Sequence, residues 1–191
     1  TAQAADLQAK EVDITAGNAN LNGRISRHTD RGKAKITHQN GVQAREHQSG
    51  SSETYQATRI QAEQFDMNIS GNLNIVGTDI QAKNSNIRGG NVHLGAEKTV
   101  NLREHSKNQS KGSWYRNEQE SNRVETTHRT TIAGDSVNIE ATKGKVTAEG
   151  AKVSAKTTAI YGEQGVNLRG VKATTTQTAR AEFKNETARL K

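Results

Sequence analysis

Short apolar–polar–apolar triplets recur along the sequence at a nearly fixed step, and that recurrence restricts the fold more than any single motif does. One series runs Phe65-Asp-Met67-Asn-Ile69, Leu73-Asn-Ile75, Ile80-Gln-Ala82, Val92-His-Leu94 and Val100-Asn-Leu102. A second runs Val137-Asn-Ile139, Val146-Thr-Ala148, Val153-Ser-Ala155 and Val166-Asn-Leu168. Alternation with period two, broken by Gly, Asn, Asp or Lys, is strand-and-turn chemistry. Val146-Thr-Ala148-Glu-Gly150 matches Val166-Asn-Leu168-Arg-Gly170 at a spacing of 20, and Leu73-Asn-Ile75 matches Val92-His-Leu94 at 19. A step of about 20 residues holding two or three short strands is the period of a β-solenoid coil. Coils stack about 4.8 Å apart, so inward side chains form ladders one layer wide.

A thin core also accounts for the composition. Hydrophobic residues are 30% of the 191 and aromatics 3%. With the 17 Gly counted, the apolar share is about 39%, below the 45–50% of ordinary globular domains. One thick enzyme-like core is therefore not expected. There is no Cys, which excludes disulfides and thiolate metal sites, and no Pro, which would remove a donor from stacked strands. No apolar run approaches the roughly 18 residues that span a membrane. The chain opens at Thr1 without Met or a signal-peptide pattern, as expected of a piece of something longer.

A longer repeat is superimposed on the shorter one. Leu73, Ile75, Gly77, Ile80, Ala82 and Lys83 align with Val146, Ala148, Gly150, Val153, Ala155 and Lys156, always 73 apart. Phe65 and Met67 align with Val137 and Ile139 at 72, and Val92 and Leu94 with Val166 and Leu168 at 74. A truncated copy opens the chain, with Val12-Asp-Ile14-Thr-Ala16 resembling Val92-His-Leu94-Gly-Ala96 and Asn20-Leu21 resembling Asn101-Leu102. The expected organisation of 1–191 is one repetitive segment: ladder 7–23, excursion 24–59, ladder 60–102, excursion 103–131, ladder 132–172 and a C-terminal excursion 173–191.

The beat Gly-Asn-Leu-Asn-Ile (71–75), Gly-Gly-Asn-Val-His-Leu-Gly-Ala (89–96) and Ala-Gly-Asp-Ser-Val-Asn-Ile-Glu-Ala (133–141) resembles the haemagglutinin repeat of filamentous-haemagglutinin and CdiA-type exoproteins. The polar tract Arg-Glu-His-Ser-Lys-Asn-Gln-Ser-Lys-Gly-Ser-Trp-Tyr (103–115) fits the same family, and the resemblance covers about residues 7–172. It implies an all-β, right-handed parallel β-helix with hairpin-like excursions, in the stalk of a long exoprotein of Gram-negative two-partner secretion. It further implies export through an outer-membrane transporter partner, display at the cell surface, and a role in adhesion, biofilm formation or toxin delivery by contact-dependent growth inhibition. The hallmark N-terminal secretion domain and any toxin domain are absent from this sequence, so neither activity is assigned to it. The lack of Cys suits a chain threaded unfolded through a pore.

The net charge of +7 is unevenly placed. The three excursions hold 17 Lys/Arg against 9 Asp/Glu; the remainder holds 10 against 11. Basic arms on a neutral rod allow contact with anionic surface glycans or proteins, although interspersed charges are also what a solvated arm needs. Trp114 and Tyr115, flanked by Lys111 and Arg116, form the candidate binding cluster, with the competing reading that they pack a hairpin around Lys111-Gly112 back on the solenoid; Tyr55 is the equivalent residue of the first excursion. Specific nucleic-acid binding is not expected, because no recognition module appears and stacking aromatics are few. His28, His38, His47, His105 and His128 lie in excursions without the close spacing of a zinc pair. No metal or other cofactor is expected.

For catalysis the precedent is the β-helical glycan-active enzyme, and the candidate acids are Asp66, Asp79, Asp135, Glu140 and Glu149. No pair of them recurs on neighbouring coils with a base alongside, so a non-catalytic, monomeric stalk segment is the expected function. The sequons at Asn68, Asn108 and Asn185 are of the kind that chance supplies in an Asn-, Ser- and Thr-rich chain. The rival from another class is a trimeric β-helical spike of a phage tail or type VI secretion tip, although such spikes repeat at about 8 residues, not 20.

Overall fold

The computed structural model describes residues 1–184. Within them every regular element is a strand: β1 Ala2–Gln3, β2 Asp6–Gln8, β3 Glu11–Ala16, β4 Ala19–Asn22, β5 Arg24–Thr37, β6 Gln43–Gln56 and β7 Thr58–Val76. These are followed by β8 Thr78–Lys111, β9 Trp114–Arg129, β10 Thr131–Ala141, β11 Val146–Glu149, β12 Lys152–Gly162, β13 Val166–Arg169 and β14 Thr175–Lys184. The described residues divide into two compact units, one made of 1–25, 55–99 and 127–172, the other of 26–54, 100–126 and 173–184.

The first unit is a parallel β-helix. Its coils are 6–22, 59–76, 79–95, 131–148 and 152–169, each pairing in parallel with the next. Asp6 pairs with Arg59, Arg59 with Asp79, Thr131 with Asp79 and again with Lys152. The steps are thus 53, 20, 52 and 21 residues. Short steps turn directly through Gly77 or Gly150, both with positive φ (58° and 72°), a conformation that costs glycine nothing. Long steps carry an excursion. One short and one long step together give the 73-residue repeat, which is therefore two coils plus one excursion.

Inward columns hold the stack together. Ile60, Ile80 and Ile132 form one, and Met67, Ile87 and Ile139 another, all essentially inaccessible to solvent. In a third column Ser85 lies between Phe65 and Val137; the small side chain leaves room for the ring, though its hydroxyl is buried without a partner. Where excursions leave and return, buried Thr58, Thr78 and Thr130 stack and donate to backbone carbonyls. Thr58 Oγ1 reaches Asn22 O at 2.6 Å, Thr78 reaches Leu21 O at 3.0 Å, and Thr130 reaches Gly95 O at 2.7 Å and Ile75 O at 3.0 Å. These hydroxyls give the corner carbonyls a side-chain donor, in addition to the backbone N–H groups that Asn22 O and Gly95 O already accept.

Outside, the registers align Lys10, Glu63, Lys83, Asp135 and Lys156 in one column, opposite charges on every adjacent pair. Lys83 meets Glu63 at 3.1 Å and Lys156 meets Asp135 at 2.8 Å.

Two sequence alignments are corrected by these registers. Val12-Asp-Ile14-Thr-Ala16 stacks on Phe65, Met67 and Ile69, and Asn20-Leu21 on Asn74-Ile75; neither is equivalent to the later segments that it resembles by sequence. Val100-Asn-Leu102 is not a coil strand, because Leu102 pairs antiparallel with Ser51. A three-residue alternation looks alike on every strand, and only the stacking partner tells them apart.

The second unit is built from the excursions. β5 and β6 pair across a turn at 38–42, where His38 N–H donates to Val42 O, and β8 pairs with β9 across Gly112–Ser113. β6 pairs antiparallel with β8, and β9 antiparallel with β14. The strand order is therefore β5-β6-β8-β9-β14: the returning strand of one hairpin joins the outgoing strand of the next. Among its described residues Ala44 is the one buried hydrophobic side chain.

Candidate functional site

Polar side chains on both faces of the hairpin sheet leave it without a core, so its surface is available for contacts. Ion pairs knit adjacent positions: Lys107 with Glu46 across the β6–β8 seam at 3.2 Å, Arg123 with Glu125 along β9 at 2.5 Å, and Arg27 with Glu53 at 3.3 Å. Glu53 also accepts from Val100 N–H at 2.7 Å, while its own N–H donates to Asn101 Oδ1 at 3.0 Å. Three consecutive residues from each of the five strands line a groove of about 1000 Å³. Gly32, Gly50 and Ala179 keep it hollow, and Arg31, Arg103, Glu104 and Glu120 give it both signs of charge. It holds no aromatic platform, which suits hydrated, hydrogen-bonded contacts.

The structure brings the four candidate binding residues together at one hairpin turn. Lys111 closes β8, Trp114 opens β9, and Tyr115 and Arg116 follow it, paired across the sheet with Lys184 and Phe183. Lys111, Tyr115 and Arg116 are exposed and Trp114 is half-buried. Arg116 is held by Glu118 at 2.5 Å.

Tyr55 behaves differently. It stacks on His128, with ring centroids 4.1 Å apart, and its hydroxyl donates to Gly77 O. A Cβ at Gly23 or Gly77 would collide with the ring, so both glycines are required by this one side chain. His128 Nε2 lies 2.9 Å from Thr99 Oγ1. Burial, with the nearby Glu97 and Asp79 carboxylates adding to it, pushes the Tyr55 hydroxyl up to about 12. Burial lowers the His128 pKa, and Glu97 opposes that only partly. The two residues are 73 apart, one full repeat, so the spacing marks them as equivalent positions, but only the tertiary fold shows that they touch.

The candidate acids are engaged by neighbours. Asp66 accepts from Gln64 and, at 2.7 Å, from Asn86; Glu140 pairs with Arg88 at 3.0 Å; Glu149 lies 3.8 Å from Arg169. Asp135 has its pKa lowered by its hydrogen bond to Lys156, the wrong direction for a general acid. Asp79 acts on Tyr55. Among the described residues no His, Asp and Glu cluster has the makings of a metal site, and no helix is long and apolar enough to cross a membrane. His28 bonds Asp30 at 2.8 Å and His47 Nδ1 lies 3.1 Å from Gly32 O. Asn68 and Asn108 are on strands, and Asn185 lies outside the described residues.

Residues 112–189 match the family model described as hemagglutinin repeat. That stretch is a hemagglutinin repeat. Its bounds take in a returning hairpin strand, two coils and the next outgoing strand, so the hemagglutinin repeat in sequence is about one structural period. Comparison with curated proteins and with solved structures finds no match.

Proposed function

We propose that this chain is a non-catalytic segment of the stalk of a secreted, cell-surface exoprotein of Gram-negative bacteria. In this reading its coils carry load between the producing cell and distal binding or effector regions, in adhesion or in contact-dependent growth inhibition. The supporting observation is the uninterrupted parallel stack from Asp6 to Arg169, in which every coil is hydrogen-bonded to its neighbour and the middle coils 59–76, 79–95 and 131–148 are filled by columns of mainly Ile, Leu, Met and Val. Folding would follow passage through an outer-membrane transporter partner, each coil templating the next. The basic hairpin turn with Lys111, Trp114, Tyr115 and Arg116 is then the place for contacts with glycans or proteins on another cell.

The test is mechanical. A single molecule pulled between cysteines at Asp6→Cys and Arg169→Cys is expected to resist and then rupture in discrete events as coils peel apart. Smooth extension without rupture would overturn the load-bearing reading. Light scattering is expected to give the mass of one chain, and a stable trimer would favour the spike. New reducing or unsaturated ends after incubation with polysaccharides would overturn the non-catalytic part.

A further inference from the structure

The hairpin sheet has an edge whose natural occupant is written in its own repetition. A returning strand pairs with the next outgoing strand in two places, β6 with β8 and β9 with β14. β5 is the outgoing strand that leaves the first coil, and among the described residues it pairs with β6 alone. Its other edge therefore stands where β8 receives β6 and β14 receives β9. Beyond Ile25 every residue of β5 is exposed, and an unpaired strand edge of that kind is a template for a further strand.

The registers say which side chains such a strand would meet. In the β6–β8 seam Glu46 lies opposite Lys107 and Gln48 opposite His105; in the β9–β14 seam Glu118 lies opposite Ala181 and Glu120 opposite Ala179. The returning positions are 72 residues apart and the outgoing ones 74. Counting 74 back from Lys107 and His105 reaches Lys33 and Arg31. A strand of the β9 type on the free edge of β5 would thus set Glu118 against Lys33 and Glu120 against Arg31, repeating the Glu46–Lys107 ion pair observed at 3.2 Å. β5 as a whole has Arg24, Arg27, Arg31, Lys33 and Lys35 against Asp30, the charge that favours an acid-bearing partner.

We propose that the free edge of β5 is an acceptor for the returning strand of another hemagglutinin repeat, added antiparallel, with the Glu118/Lys33 and Glu120/Arg31 pairs fixing its register. This surface joins hairpin sheets of successive or neighbouring repeats, independently of whether the coils bear load.

The probe is a labelled peptide of residues 114–129 titrated into the purified chain. Saturable binding is expected, with amide-exchange protection appearing across residues 24–37. Arg31→Glu with Lys33→Glu in the chain, its fold checked by circular dichroism, should weaken binding about fivefold or more, the scale of two cross-strand charge pairs reversed. The peptide with Glu118→Lys and Glu120→Lys should restore it. Binding that ignores both swaps would overturn the proposal. So would protection on β14 in place of β5, the mark of the peptide exchanging with β9, or no binding at all.

Discussion

The two units are made of the same kind of strand and stabilised by different means. The β-helix buries Phe65, Met67 and columns of Ile, Leu and Val; the hairpin sheet buries Ala44. One is driven by removal of apolar surface from water. The other relies on backbone ladders and cross-strand polar pairs worth only tenths of a kcal/mol to about 1 kcal/mol each. A polar sheet of that kind does not usually hold alone. Here its hairpins are closed at both ends by coils that already hold Asn22 beside Thr58 and Gly95 beside Thr130 through the threonine hydroxyls, so much of the loop-closure entropy is met by the solenoid. Each 73-residue period adds two coils to one unit and two strands to the other. Both spacings are about 4.8 Å, so each period lengthens both ladders equally, by about 9.6 Å.

That equality gives the largest expected effect. Deleting 77–149 joins Val76 to Gly150, removes two coils with one hairpin, and should leave a chain that still melts in one sharp transition. Deleting only 77–95 removes a single coil and puts excursions on successive coils. It should lower the melting temperature more, although fewer residues are lost. The reverse order would show that the two ladders need not keep step. Next in size are core truncations. Ile139→Ala should cost about 2–5 kcal/mol in urea unfolding, while Ser121→Ala in the hairpin sheet should stay within about 0.5 kcal/mol; equal costs would erase the distinction between the units.

The threonine corner of the coils should fall between. Thr130→Val keeps the shape but removes the hydroxyl donor from Gly95 O and Ile75 O, while Gly95 O keeps the Gly77 and Thr130 N–H groups, a loss of about 0.5–1.5 kcal/mol. The pH profile reports on the same corner from two sides. The Tyr55 hydroxyl titrates higher in the fold than unfolded, so its contribution is complete below pH 10 and fades as pH rises toward about 12. His128 titrates lower in the fold, so its contribution is complete above about 6.5 and fades as the pH falls below that. Tyr55→Phe should remove the alkaline limb and His128→Gln the acid limb of a stability–pH curve. The smallest effect is expected from Lys156→Ala, whose fully exposed pair with Asp135 should leave the denaturation midpoint unmoved.

Strand triplets such as Val92-His-Leu94 were legible because one apolar face per strand is a local pattern, and two coils plus a hairpin left a readable spacing of 73. The candidate cluster was legible only as far as the hairpin turn at Gly112, where Lys111-Gly-Ser-Trp114 has turn chemistry. Stacking partners were not legible. Val12-Asp-Ile14 could be matched to Val92 by letters, yet it stacks on Phe65, since identity of pattern carries no address. The column Lys10, Glu63, Lys83, Asp135 and Lys156 has unequal spacings until the excursions are subtracted, and the Tyr55–His128 stack, though its residues are one 73-residue repeat apart, joins a Tyr to a His that no shared letter pattern relates.

By itself, then, the sequence determined the strands, the coil step and the all-β solenoid, because inward and outward alternation is imposed residue by residue. The tertiary structure alone decided that the excursions pair with one another into a second sheet, and which strands are neighbours in it. Their Ser, Gln, Asn and Thr residues satisfy water as well as they satisfy a neighbouring strand. Only the coils, by holding each hairpin's ends in place, settle which neighbour they meet.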